Sequence, residues 1–256
     1  MILCLDVGNS QIFGGVFVDD QLQLRFRHDT TVSSTSDQLG IFLINVLREN
    51  GLDKKNVKKI AICSVVPSLD YSLRAACIKY FDHDPFMLQA GVKTGLKIKY
   101  HNPLEVGADR IANAIAAVAT YPKENIIVID FGTATTFCTI TKEKEYLGGA
   151  ILAGMKLSMN ALQNNTAKLF SVEIIKPTSV VGKTTVENIQ AGLYYGQLGM
   201  LREFTRRITD EFFRDQKPII IGTGGFSYLF EQEGIFTTVM PDLVLQGLRQ
   251  VLSYNT

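Results

Sequence analysis

The chain of 256 residues has room for one large domain or two of roughly 100–150 residues. With 46% hydrophobic and 20% charged residues it can bury a full core, which excludes disorder as its general state. Its 26 Lys and Arg against 25 Asp and Glu leave a net charge of +1, so there is no electrostatic footprint for nucleic acid or an anionic membrane.

Met1 to Leu5 is a short apolar run ending in Asp6-Val7-Gly8-Asn9-Ser10, which reads as a buried strand entering a polar turn. Ile12 to Val18 predicts a second strand. Leu22, Leu24 and Phe26, alternating with Gln23, Arg25 and Arg27, predict a third, giving a three-stranded meander. A helix opens at Thr35-Ser36-Asp37-Gln38, a capping-box spacing, carries Leu39, Phe42, Leu43, Val46 and Leu47 on one face and stops at Gly51. A strand at Ile60 to Val66, a helix from Pro67-Ser68 through Tyr80 and a short strand at Pro85 to Leu88 follow, and Ile111 to Tyr121 is alanine-rich and helical.

From Asn125 the order begins again, close to half the chain further on. Ile126 to Ile129 runs into Asp130-Phe131-Gly132-Thr133-Ala134-Thr135; strands at Thr136 to Thr141 and Tyr146 to Leu152, a helix from Met155 and a long helix over Val186 to Phe213 come next. A strand at Pro218 to Gly222, a helix after Gly224-Gly225, a strand near Phe236 to Met240 and a helix from Pro241 close the series. The repeated unit is a whole domain. The expected fold is α/β, with a first domain over residues 1–115, a second over 116–256, a last helix able to pack back on the first, and both Asp-x-Gly turns facing a central cleft.

In a tight turn, glycine brings backbone N–H groups up to a ligand with no Cβ in the way. Successive N–H groups form an anion nest, and the hydroxyls of Ser10, Thr133, Thr135 and Thr136 add donors suited to phosphate oxygens. A carboxylate beside phosphates is repelled unless a cation separates them, so Asp6 and Asp130 read as ion ligands. Gly222-Thr223-Gly224-Gly225 offers a glycine run on which a base or ribose can lie. One such turn alone could be an ordinary hairpin whose Asp bonds its own backbone; two at equivalent places in a repeat favour ligand binding.

Other signals fall away. Gly182-Lys183-Thr184 resembles the end of a Walker A loop, but Pro177 stands where that motif needs glycine, and no Gly-x-Gly-x-x-Gly opens a helix after either first strand. Cys4, Cys63, Cys77 and Cys138 read as reduced core thiols, and His28, His83 and His101 have no ligand spacing for zinc. No apolar stretch of membrane-spanning length and no signal peptide is present, so a cytoplasmic location is expected.

Tyr100 to Arg110 links the repeats. Spacing leaves two readings of Asp109 open: an N-cap worth about 1 kcal/mol, or a base aimed at the cleft while Arg110 holds an anion. Gly192, Gly196 and Gly199 on the long helix likewise allow either packing inside the subunit or contact between two copies.

Together these residues resemble the type III pantothenate kinases, members of the actin-like (ribonuclease H-like) superfamily that includes acetate and sugar kinases, and the likeness covers essentially the whole chain. Asp6-Val7-Gly8-Asn9-Ser10 is similar to the family's first phosphate motif, with Ser10 where threonine is usual. Gly107-Ala108-Asp109-Arg110 resembles its pantothenate motif, Asp130 to Thr136 its second phosphate motif, and Gly148 to Gly154 its Gly-Gly-x-Ile-x-Pro-Gly, with Ala153 replacing proline.

The resemblance implies ATP-dependent phosphorylation of pantothenate at its primary hydroxyl to 4′-phosphopantothenate, the first step towards coenzyme A. It implies Asp109 as the base; Asp6, Val7, Gly8, Asn9, Ser10 and Gln11, with Thr133 and Gly224, around ATP; Mg2+ near Asp6; and a monovalent cation, K+ or NH4+, at Asp130. Pantothenate contacts would come from Tyr100, Gly107, Ala108, Asp109 and Arg110. A homodimer is implied, with a threonine from the partner subunit reaching the substrate: Thr185, or Thr184 as the alternative. The rival readings are a non-catalytic regulator on the same scaffold, a kinase of another small hydroxylated substrate such as a sugar, and an actin-like filament protein.

Overall fold

A computed structural model describes residues 1–255. The first sheet holds β1 (Ile2–Val7), β2 (Gln11–Val18), β3 (Gln21–Asp29), β4 (Lys59–Ser64) and β5 (Phe86–Met87), in the order β3-β2-β1-β4-β5. The second holds β6 (Lys97–Ile98), β7 (Ile126–Phe131), β8 (Ala134–Ile140), β9 (Glu145–Ala153), β10 (Ile219–Gly224) and β11 (Thr238–Val239), in the order β11-β10-β7-β8-β9-β6.

Leaving β6 aside, the two orders are the same. β1 corresponds to β7, β2 to β8, β3 to β9, β4 to β10 and β5 to β11. The meander pairs are antiparallel in both sheets, and the β1–β4, β4–β5, β7–β10 and β10–β11 pairs are parallel in both. The repeat read from two similar turns is therefore a repeat of topology. The two turns differ in length: four residues, Gly8 to Gln11, separate the paired Val7 and Ile12, whereas three, Gly132 to Ala134, separate Phe131 and Thr135.

The helices are α1 (Ser36–Glu49), α2 (Pro67–Phe81), α3 (Ala108–Thr120), α4 (Met155–Asn165), α5 (Thr185–Phe212) and α6 (Leu243–Tyr254). One compact unit takes residues 1–96, 101–119 and the segment from Leu243 onward; the other takes residues 97–100 and 120–242. In the first unit α6 packs on β1, β2 and β4, and Leu3, Leu5 and Ile62 form its core with Leu39 and Leu43 of α1 and Leu69 and Leu73 of α2. In the second, Ile127, Ile129 and Phe131 of β7 pack with Phe137, Tyr194, Leu198 and Phe230. β1 and β7 are nearly continuous apolar runs, as a strand in the middle of a covered sheet requires.

Local chemistry sets several boundaries. Thr35 Oγ1 accepts the Gln38 N–H at 3.2 Å and Gln38 Oε1 accepts the Thr35 N–H at 2.9 Å, completing the capping box that starts α1. The helix expected after Gly224-Gly225 is instead a short 3-10 segment, Ser227–Glu233, with no side-chain cap at its start and Gly234 at φ 68° ending it after seven residues. At about three residues per turn, seven residues make little more than two turns, too short a run to stand as an α-helix. On α5, side chains built at Gly192, Gly196 or Gly199 would meet no atom within 4 Å, so these glycines do not serve packing against described residues of the same chain. All four cysteines are buried and free. Among the described residues, no helix is long and apolar enough to cross a membrane.

Candidate active site

In the first unit the strand order brings three groups together. Asp6 sits at the end of β1 with β4 on one side, its ladder partner being Cys63. The buried Cys63 thiol donates to Asp6 Oδ1 at 3.2 Å. Burial, and then the charges of Asp6 and Asp109, push that thiol far above its ordinary range, so it is a neutral donor. Asp109 therefore also lies within electrostatic reach of the same sulfur.

Asp109 is not the N-cap of α3. The helix starts at Ala108 and the Ile111 N–H donates to Gly107 O at 3.2 Å, which leaves Asp109 inside the first turn, its Oδ1 accepting the Arg110 N–H at 2.8 Å. A Cβ at Gly107 would collide with that carboxylate, so glycine is what permits the close approach. Burial pushes the Asp109 carboxyl above the usual carboxylate range, against the opposing pull of the Arg110 N–H and charge. A raised affinity for protons is what a general base needs to accept one near neutral pH. Ala108 is half-buried and the Arg110 side chain is buried. The turn that follows Asp6 and the buried Val7 exposes Asn9, Ser10 and Gln11.

In the second unit Asp130 is the last residue but one of β7, opposite Thr223 of β10. Gly224 has φ +84°, and a Cβ there would collide with Asp130 Oδ1, so the glycine backbone lies directly on that carboxylate. Thr133 is exposed in the neighbouring turn, whose backbone is held by Gly132 N–H donating to Ala134 O and Gly154 N–H donating to Thr133 O, both at 3.1 Å. The Tyr100 ring lies against Gly148 of β9.

Thr184 and Thr185 separate cleanly. Thr184 is the N-cap of α5: its Oγ1 accepts the Glu187 N–H at 3.2 Å, while Glu187 Oε2 accepts the Thr184 N–H at 3.2 Å. Thr185 is exposed on the first turn and lines an apolar groove of about 1000 Å³ with Leu157, Leu162, Leu169, Ile189 and Leu193.

Among the described residues, no three His, Cys, Asp or Glu side chains gather as a metal cage. The Asp6 carboxylate offers hard oxygen donors of the kind Mg2+ takes.

A duplicated sheet with an Asp-x-Gly turn after the first strand of each copy defines the actin-like class of ATPases and kinases. The fold likeness extends to an archaeal actin homolog, with a TM-score of 0.51 at 13% identity over 98% of this chain and 99% of that one. The chain itself belongs to the type III pantothenate kinase family, whose sequence profile matches residues 2–207. It is 63% identical over 256 residues, 100% of both chains, to a type III pantothenate kinase of Legionella pneumophila (strain Corby). It is also 51% identical over 255 residues, again 100% of both, to type III pantothenate kinase 1 of Francisella tularensis subsp. holarctica (strain OSU18).

Two groups that touch the first Asp-x-Gly turn, Cys63 and Thr30, carry no signal of this in the sequence. Cys63 was legible only as a small buried hydrophobe, because its partner Asp6 is 57 residues away. Thr30 lay in an unassigned polar stretch after the third strand; no local pattern announces that its N–H donates to Ser10 O and its Oγ1 to Gly8 O.

Proposed function

We propose that the chain phosphorylates pantothenate on its primary hydroxyl with ATP, giving 4′-phosphopantothenate and ADP, the first step towards coenzyme A. The observation that supports this reading is that the Cys63 thiol donates to Asp6 Oδ1 and is also within reach of the Asp109 charge, in keeping with a candidate base in the same region as the candidate phosphate-side carboxylate.

In the proposed step the hydroxyl oxygen bonds to the γ-phosphorus, the bond from that phosphorus to the ADP oxygen breaks, and the hydroxyl proton passes to Asp109. Little covalent work falls to the protein, so positioning and charge neutralisation carry the barrier reduction. The Asn9 and Gln11 N–H groups and the Ser10 hydroxyl would face the phosphates, with Thr133 and Gly224 serving nucleotide in the second unit. Asp6 would hold Mg2+, which would supply charge neutralisation on the phosphate oxygens, and Asp130 would hold K+ or NH4+. Tyr100, Gly107, Ala108 and Arg110 contact pantothenate, the guanidinium fork suiting its carboxylate or an amide oxygen.

A homodimer is part of the reading. The unfilled glycine face of α5 and the apolar groove beside Thr185 support it, and Thr185, whose hydroxyl does not serve the cap, is the threonine offered to the partner's substrate. A cytoplasmic location is proposed as well, since four buried free thiols fit a reducing compartment.

The test is ADP release from ATP by the full-length chain with pantothenate, with a panel of sugars and with no acceptor. Release that depends on pantothenate supports the reading; release that depends on a sugar, or on no acceptor, overturns it.

A further inference from the structure

Thr30 follows the last residue of β3 and makes two hydrogen bonds to the first phosphate turn. Its N–H donates to Ser10 O at 3.0 Å and its Oγ1 donates to Gly8 O at 2.6 Å. Beside it, Gln11 Nε2 donates to Asp29 Oδ1 at 3.2 Å, and the turn is closed on its other side by Gly8 N–H donating to Gln11 O at 3.0 Å.

A trans peptide points its C=O and the following N–H in opposite directions. Drawing the Gly8 and Ser10 carbonyls towards Thr30 therefore turns the Asn9 and Gln11 N–H groups the other way. It also removes two carbonyl oxygens from the side on which an anion can be held, where they would repel it.

The second repeat isolates what is special here. Gly154 follows β9 as Thr30 follows β3, and its N–H donates to Thr133 O at 3.1 Å, the counterpart of the Thr30–Ser10 bond. Both repeats thus have the backbone latch. Only the first, whose turn is one residue longer, adds a hydroxyl that ties down a second carbonyl. A longer turn has more conformations to lose, and the extra bond removes them.

We propose that Thr30 is a positioning residue for the phosphate donor: its hydroxyl fixes the Gly8–Gln11 turn with the Asn9 and Gln11 N–H groups presented to the nucleotide phosphates. The inference rests on the kinase reading above. Thr30→Val is nearly isosteric and removes the hydroxyl while keeping the N–H, and Thr30→Ser keeps both donors.

Calorimetric titration of each full-length variant with β,γ-methylene ATP and Mg2+, together with KM for ATP and for pantothenate, gives the readout. Thr30→Val is expected to weaken nucleotide affinity about three- to tenfold, the scale of one lost hydrogen bond, to raise KM for ATP in step and to leave KM for pantothenate unchanged. Thr30→Ser should restore the wild-type values. Nucleotide affinity unchanged in Thr30→Val, an equal loss in Thr30→Ser, or parallel losses for both substrates would each overturn the proposal. A wild-type chain that binds the analogue but does not phosphorylate pantothenate would sink the acceptor assignment, and the affinities would still decide the role of Thr30.

Discussion

Cys63 faces Asp6 across the parallel β1–β4 ladder and donates its thiol proton to Asp6 Oδ1 at 3.2 Å. The second repeat sets Thr223 opposite Asp130 in the same register relationship. In each repeat, then, the neighbouring strand places a neutral side chain with a donor proton opposite the carboxylate of the Asp-x-Gly turn. A neutral donor can orient a carboxylate without competing with a cation for its charge.

For Cys63 this makes a separable prediction. Cys63→Ala removes the donor at little cost in volume, and kcat/KM for ATP should fall about three- to tenfold, the scale of one modest hydrogen bond, since a thiol is a weak donor. Cys63→Ser keeps a donor and should stay within about twofold of the wild type. Steady-state kinetics at varied Mg2+ checks it; equal behaviour of the two variants would reduce the contact to core packing.

Asp109 joins activity and stability with opposite signs. Asp109→Asn should cut kcat by about 10²–10⁴-fold, the usual range for a general base, with nucleotide affinity preserved. Burial raises its pKa above the ordinary carboxylate value. Native protein therefore binds more protons than unfolded chain between the unfolded and folded pKa values, and its stability falls as pH rises through that window. Removing the charge should raise Tm at neutral pH. The pH profile of kcat/KM for pantothenate should lose rate on the acid side as pH falls through the raised pKa. A drop in Tm for Asp109→Asn measured by calorimetry would instead mark a structural carboxylate.

The two adjacent threonines should part company under substitution. Thr184→Ala removes an N-cap and should cost about 1 kcal/mol of stability in urea unfolding. Thr185→Ala should leave stability within about 0.5 kcal/mol, as for a surface substitution, and raise KM for pantothenate. Reversed outcomes would exchange the two roles.

The glycine face of α5 can be tested through association. At micromolar concentration the wild type should sediment as a dimer. In a chain on its own, Gly196→Ala should stabilise an exposed helix by about 1 kcal/mol; Gly196→Leu should fill the open space above the face and shift the protein to monomers with its circular dichroism unchanged. Wild-type sedimentation of the Leu variant would move the dimer contact to another surface.

Most of the frame was legible because it is written locally. The apolar runs of β1 and β7, the Asp-x-Gly turns after them and the Thr35–Gln38 capping box each specify themselves within a few residues. What stayed hidden depends on partners distant in the chain. β6 is two residues long and exists only because Lys97 and Ile98 pair with Glu145 and Tyr146. The Asp6–Cys63 contact needs the parallel register of β1 and β4, and the Thr30 bonds need the β2–β3 hairpin closed. The spacing around Asp109 left cap and base open because both readings require an acid near a helix start; the position of Ala108 as the first helical residue removes the cap reading.

The most direct measurement is phosphorus NMR of the products formed from ATP and pantothenate by the wild-type chain and by Asp109→Asn. The account predicts one new phosphomonoester on the primary hydroxyl of pantothenate, formed in step with ADP by the wild type and nearly absent with the variant. Pantothenate recovered unmodified while ATP is consumed to ADP and inorganic phosphate would contradict it.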